Sequence, residues 1–131
     1  MRRFLFTVAT ATTALVGTAC SDSTGLGSNV AGSYELRTIN GQSLPVNTGS
    51  RTIEGGVLEL DSDGRFVDVF QYRDFGDPLS TQEELFGNWE RNGSQIRLEY
   101  DNGDVLFAER TSSSRIVLTD DSGNDWAYQR F

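Results

Sequence analysis

Four short turn sequences constrain this chain more than anything else in it: Asp61-Ser62-Asp63-Gly64, Arg91-Asn92-Gly93-Ser94, Asp101-Asn102-Gly103-Asp104 and Asp121-Ser122-Gly123-Asn124. Asn-Gly and Asp-Gly tolerate the positive φ angles of a tight hairpin. Between them the hydrophobic pattern has a period of two. In Gln95–Tyr100, Ile96, Leu98 and Tyr100 share one face while Gln95, Arg97 and Glu99 share the other, which describes a half-buried antiparallel strand. The same grammar yields strands at Tyr34–Ile39, Gly56–Leu60, Phe66–Asp74, Leu85–Glu90, Val105–Arg110, Arg115–Thr119 and Trp126–Phe131, with Ser112–Ser114 as a further turn. No helical stripe exceeds one turn. Eight short strands joined mainly by tight turns fit an all-β, eight-stranded antiparallel up-and-down barrel, which leaves no exposed edge; a sandwich is the rival arrangement.

The alternation assigns an interior: Tyr34, Leu36, Leu58, Leu60, Phe66, Phe70, Tyr72, Leu85, Trp89, Ile96, Leu98, Tyr100, Ile116, Leu118, Trp126 and Tyr128. On the sixth strand either Leu106 or Phe107 faces inward. Gly55-Gly56 marks a bulge or bend. Two longer connections, 40–50 and 75–81, fall at one end of such a meander and define its expected mouth.

The start of the chain has a different character. Met1-Arg2-Arg3 is positive, and Phe4–Ala19 is uncharged and moderately apolar, so 1–19 reads as a secretory signal segment rather than a membrane span. Its end, Val16-Gly17-Thr18-Ala19-Cys20, resembles a bacterial lipobox, with Gly17 where Leu is usual. The resemblance implies lipidation of Cys20, a lipid anchor in the membrane, and residence in the envelope of a diderm bacterium. By resemblance to lipoprotein sorting rules, Ser21 after the cysteine implies the outer membrane, facing the periplasm. Residues 20–29, polar and Gly/Ser-rich, form a flexible tether with a reach of about 30 Å, and 30–131 form the barrel domain.

Composition removes several kinds of chemistry. The chain has no His and no Lys, and its single Cys is Cys20. Imidazole bases, Schiff-base lysines, Cys/His zinc sites, Ser-His-Asp triads and an internal disulfide are thereby excluded. The net charge is −8; without Arg2 and Arg3, nine basic residues face nineteen acidic ones, giving −10. A surface so acidic disfavours nucleic acid. Asp61-x-Asp63-Gly64 and Asp120–Asp125 cluster carboxylates as calcium loops do, but lack the full loop spacing with its distal Glu and read as turns, so no metal or other cofactor is expected. No carboxylate pair is placed for glycoside hydrolysis, and the chain is read as non-enzymatic.

Gly32-Ser33-Tyr34-Glu35-Leu36 followed by Asn40-Gly41-Gln42-Ser43-Leu44-Pro45 resembles the opening of small bacterial lipocalin-like lipoproteins. Asp63-Gly64-Arg65-Phe66, Gly87-Asn88-Trp89 and Trp126-Ala127-Tyr128-Gln129-Arg130 extend the likeness over 30–131. The resemblance implies a lipocalin-like (calycin-type) barrel. In the wider superfamily a first-strand Trp and a last-strand Arg close one end. Here Tyr34 replaces the Trp, and Tyr34 with Arg130 becomes the expected barrel-closing pair.

Two questions about function stay open at this level. Asp68 alternates with Phe66, Phe70 and Tyr72, so it either points inward, toward an Arg or a ligand, or is turned to solvent by a register shift. Glu109 is ambiguous in the same way. Asp68, Phe70, Tyr72, Trp89, Tyr100, Trp126 and Tyr128 are the candidate ligand-pocket residues, and their rings either line a site for a small hydrophobic ligand or fill the barrel. A filled barrel would instead act on another envelope protein through loops 40–50 and 75–81, as a protein-interaction module or a protease-inhibitor-like protein.

Overall fold

The computed structural model describes residues 30–131. The signal segment 1–19, Cys20 and the tether 20–29 lie outside the described residues. Ten strands follow in order: β1 (Gly32–Ile39), β2 (Gln42–Ser43), β3 (Val46–Asn47), β4 (Arg51–Leu60), β5 (Arg65–Asp74), β6 (Thr81–Asn92), β7 (Gln95–Tyr100), β8 (Val105–Ser112), β9 (Arg115–Thr119) and β10 (Asp125–Arg130). From β4 to β10 each strand pairs antiparallel with the next, β10 pairs with β1, and β1 pairs with β4. The two-residue strands β2 and β3 are flaps on β1 and β4. The remaining eight strands close into the expected up-and-down barrel.

Several boundaries differ from the sequence reading. β4 begins at Arg51 rather than Gly56, because the ladder runs from Arg51↔Asp74 to Leu60↔Phe66 and absorbs Gly55-Gly56 at an irregularity between Ile53 and Gly55. The segment 40–50 is folded rather than open. Asn40 (φ 52°) and Gly41 (φ 79°) make a tight turn that lays Gln42 and Ser43 back on β1. On β8, Leu106 turns inward along with buried Ala108, while Phe107 and Glu109 face solvent. Two apolar neighbours made that phase ambiguous, and cross-strand pairing with β7 decides it.

The strands are staggered, so the barrel does not fill evenly. The lower end, with turns 61–64, 93–94 and 113–114, is solid. Val30, Leu36, Leu58, Leu60, Phe66, Ile96, Leu98 and Ile116 are buried there or in the middle of the barrel. Trp89 is also buried at this end, where its indole N–H donates to the Asp61 carbonyl at 2.8 Å. Arg130 closes it. Its guanidinium lies 5.0 Å from the Tyr34 ring centroid and donates to the Tyr34 hydroxyl (2.6 Å) and the Ala31 carbonyl (3.2 Å). The Tyr34 hydroxyl in turn donates to the Val30 carbonyl at 2.5 Å. The closing pair is therefore a hydrogen-bonded plug as well as a cation–π contact.

Candidate functional site: a cavity with a carboxylate at its floor

One glycine organises the site. Gly87 on β6 pairs with Tyr100 on β7 and Phe66 on β5. A Cβ at Gly87 would stand 2.1 Å from the Glu99 carbonyl oxygen and 2.6 Å from the Phe66 ring. The space so left admits Phe66 against Tyr100, edge to face at 4.9 Å and 85°. That packing holds the Tyr100 hydroxyl where it donates to Asp68 Oδ2 at 2.9 Å.

Asp68 thus points inward. It is 6% exposed, and its Oδ1 has no hydrogen-bond partner. Within the protein its partner is a tyrosine hydroxyl and not an Arg, which the sequence reading had offered beside a ligand. Burial pushes its carboxyl up from 3.8 to about 6; the Tyr100 hydrogen bond opposes that rise, and the nearby Glu83 charge adds to it. Burial likewise raises the Tyr100 and Tyr128 hydroxyls, and the Asp68 charge raises both further.

Above Asp68 the barrel opens into a cavity of about 160 Å³. Phe70, Leu85, Leu106, Leu118, Trp126 and Tyr128 form its apolar walls, with Tyr100 beside Asp68 and Asp104, Asp120 and Asp121 at the rim. Phe70 and Trp126 meet edge to face at 6.3 Å. A second depression of about 290 Å³ shares Phe70, Asp120 and Trp126 and extends toward Thr48, Ser50 and Arg51.

The structure gathers five of the seven candidate pocket residues: Asp68, Phe70, Tyr100, Trp126 and Tyr128. Trp89 does not join them, because strand stagger places it at the solid end. Tyr72 lies above the cavity, tilted against Phe70 at 5.7 Å and capped by the Arg51 guanidinium at 3.9 Å. The two long loops contribute no lining residue to the Asp68 cavity; turns 101–104 and 120–124 flank it instead. Glu109, on the outer face, accepts from the Ser94 hydroxyl.

Asp120 is a cavity-lining residue that the sequence reading placed only in a turn. Burial alone would raise its carboxyl, but donors from Asn124 and Ser122 and the Trp126 indole N–H (2.9 Å) hold it below the ordinary value. It is a fixed anion that orients the Trp126 ring in the wall. The phase Ile116, Leu118, Asp120 carried the signal, hidden under turn chemistry. Asn40 latches the same turn, donating from its side chain to Asn124 Oδ1 (2.8 Å) and accepting from the Asp125 backbone N–H (2.9 Å).

A closed antiparallel meander, plugged at one end and hollow and apolar at the other, is a lipocalin-like barrel. No protein-family model matches the chain, and no curated protein sequence matches it. Among solved structures it is similar to a lipocalin-like protein from Bacteroides uniformis ATCC 8492, with 19% identity and a TM-score of 0.49 over 79% of this chain and 99% of that one.

Proposed function

We propose that this chain is a non-enzymatic lipoprotein, anchored through Cys20 in the cell envelope, whose barrel holds a small hydrophobic molecule. The observation that carries the reading is the apolar cavity between Phe70, Leu106, Leu118 and Trp126 at the hollow end. At about 160 Å³ it is below the roughly 300 Å³ of drug-sized sites and suits a molecule of about one ring, since apolar cavities near that size accept benzene. A long acyl chain would not be enclosed.

The test uses the full chain bearing Cys20→Ser, titrated with benzyl alcohol and followed by tryptophan emission. Trp126 lines the cavity and Trp89 does not, so one-to-one saturable binding should change part of the signal. Leu118→Trp, which fills the cavity, should abolish the change. Binding that survives Leu118→Trp, or no binding of benzyl alcohol or of its amine analogue benzylamine, overturns the reading. Lipidation is tested by palmitate labelling in a diderm host, which Cys20→Ser should eliminate.

A second reading has one observation in its favour. Phe75 and Leu79, in the 75–80 connection, are 88% and 72% exposed. Large apolar side chains left in solvent on a rim loop fit contact with another envelope protein, and Phe75→Ser with Leu79→Ser would weaken such a contact without altering the cavity.

A further inference from the structure

We infer that the cavity's ligand is a small organic cation, an amine or quaternary ammonium group carried on an apolar or aromatic body of about one ring. The inference rests on the ligand-binding reading above and narrows it.

Three independent features converge. First, Asp68 is almost wholly removed from solvent, its Oδ2 is taken by the Tyr100 hydroxyl, and its Oδ1 has no partner although it lies at the floor of a cavity. A buried carboxylate with a single neutral donor is under-compensated. Second, every charged residue lining the cavity is an acid: Asp68, Asp104, Asp120 and Asp121. The chain contains no lysine or histidine to balance them. Third, Phe70, Trp126 and Tyr128 present aromatic surface in the same space, and an aromatic face attracts a cation.

The alternatives fare worse on the same geometry. A carboxylate or phosphate would enter a chamber whose charges are all of its own sign. A purely apolar molecule would seal Asp68 Oδ1 away from water without a partner. Arg51 faces the adjoining depression, where it stacks on Tyr72 and pairs with Asp74 at 3.3 Å.

The groups acting on Asp68 are Tyr100 on β7, Glu83 on β6 and Tyr128 on β10, while its partners on the flanking strands are apolar, Leu58 on β4 and Leu85 on β6. No cation among them competes with the ligand. Protonation of Asp68 below about pH 6 removes the attraction, so binding should weaken in mild acid.

The test is a charge series on one ring, measured by calorimetry on the full chain bearing Cys20→Ser: benzylamine, benzyl alcohol and benzoate at pH 7.5 and pH 5. The amine stays protonated throughout. Benzylamine should bind at least tenfold more tightly than benzyl alcohol at pH 7.5, benzoate should give no heat, and most of the preference should vanish at pH 5. In Asp68→Asn, benzylamine and benzyl alcohol should bind within threefold of each other. Equal or tighter binding of benzyl alcohol by the unsubstituted cavity, or a preference that survives both Asp68→Asn and pH 5, overturns the inference. The unsubstituted series decides the matter even if Asp68→Asn fails to fold. If only benzyl alcohol binds, the cation inference alone fails; if no member binds, both readings fail.

Discussion

Asp68 should make the empty barrel less stable at neutral pH than in mild acid, and the size of the effect follows from its surroundings. Its folded-state pKa is raised, from 3.8 to about 6. A raised pKa means that the folded state holds the proton more tightly than the unfolded state does. The associated stability is fully present below pH 3.8 and is lost as pH rises through about 6. A displacement of about two pH units corresponds to about 3 kcal/mol, which in a domain of about 100 residues is roughly 10–20 °C in Tm. Nineteen acids titrate in the full chain, so the absolute pH profile is not diagnostic. The difference between wild type and Asp68→Asn is, because the other acids cancel. The amide of the variant is nearly isosteric with the carboxylate and can still accept from the Tyr100 hydroxyl. Urea unfolding from pH 4 to pH 8 should therefore show the variant gaining on wild type by about 2.5 kcal/mol, nearly all of it between about pH 4 and pH 7. A flat difference would mean that Asp68 is solvated when the cavity is empty, and a difference of opposite sign would mean that a buried cation compensates it. Either result refutes the picture of an uncompensated floor carboxylate.

The other predictions test the parts that hold the cavity in shape. Arg130→Ala removes a cation–π contact and two charge-assisted hydrogen bonds, and should cost about 2–3 kcal/mol; a Tm within about 2 °C of wild type would show the plug to be unimportant. Gly87→Ala drives a methyl into the Glu99 backbone, which cannot move aside as a side chain could. It should destabilise by at least about 3 kcal/mol in thermal melts and, if the protein still folds, perturb the Tyr100 ring resonances. Asp120→Asn should release the Trp126 indole, seen as a shift in tryptophan emission and a drop in anisotropy, with little change in melting temperature. An unchanged spectrum would show that the ring is held by packing alone.

The contrast between what was legible and what was not follows from the range of the forces involved. Hairpins such as β7–β8 are local: Asn102-Gly103 sets the turn, and Ile96, Leu98 and Tyr100 set the face, so both could be read from adjacent residues. The plug was suggested by the resemblance and by the ends of β1 and β10 meeting in any closed meander. The cavity depends on strand stagger, which no single segment encodes. Stagger carries Trp89 to the solid end and brings Tyr100 level with Phe66 and Gly87. It also moves the opening from the long loops to turns 101–104 and 120–124. Asp120 was hidden for a different reason: one side chain serves both the turn and the wall, and Asp in a turn already has a sufficient explanation.

The floor carboxylate and the packed plug stand in opposite relations to stability. Arg130, Tyr34 and Val30 form contacts that the folded chain satisfies by itself. Asp68 is left half-satisfied, at a cost of about 3 kcal/mol in a domain whose whole stability is of order 5–15 kcal/mol. An asparagine would avoid most of that cost. Uncompensated polarity at the base of a cavity is the kind of local strain that a bound partner can relieve. The same quantity limits what relief could achieve. A cation that returned Asp68 to an ordinary carboxylate pKa would recover at most about 3 kcal/mol, or roughly a hundredfold in affinity over its neutral isostere. A measured preference far above that would require contacts beyond Asp68, with the rim acids Asp104, Asp120 and Asp121 as the source. A preference near tenfold would place the cation within reach of Asp68 but still partly hydrated.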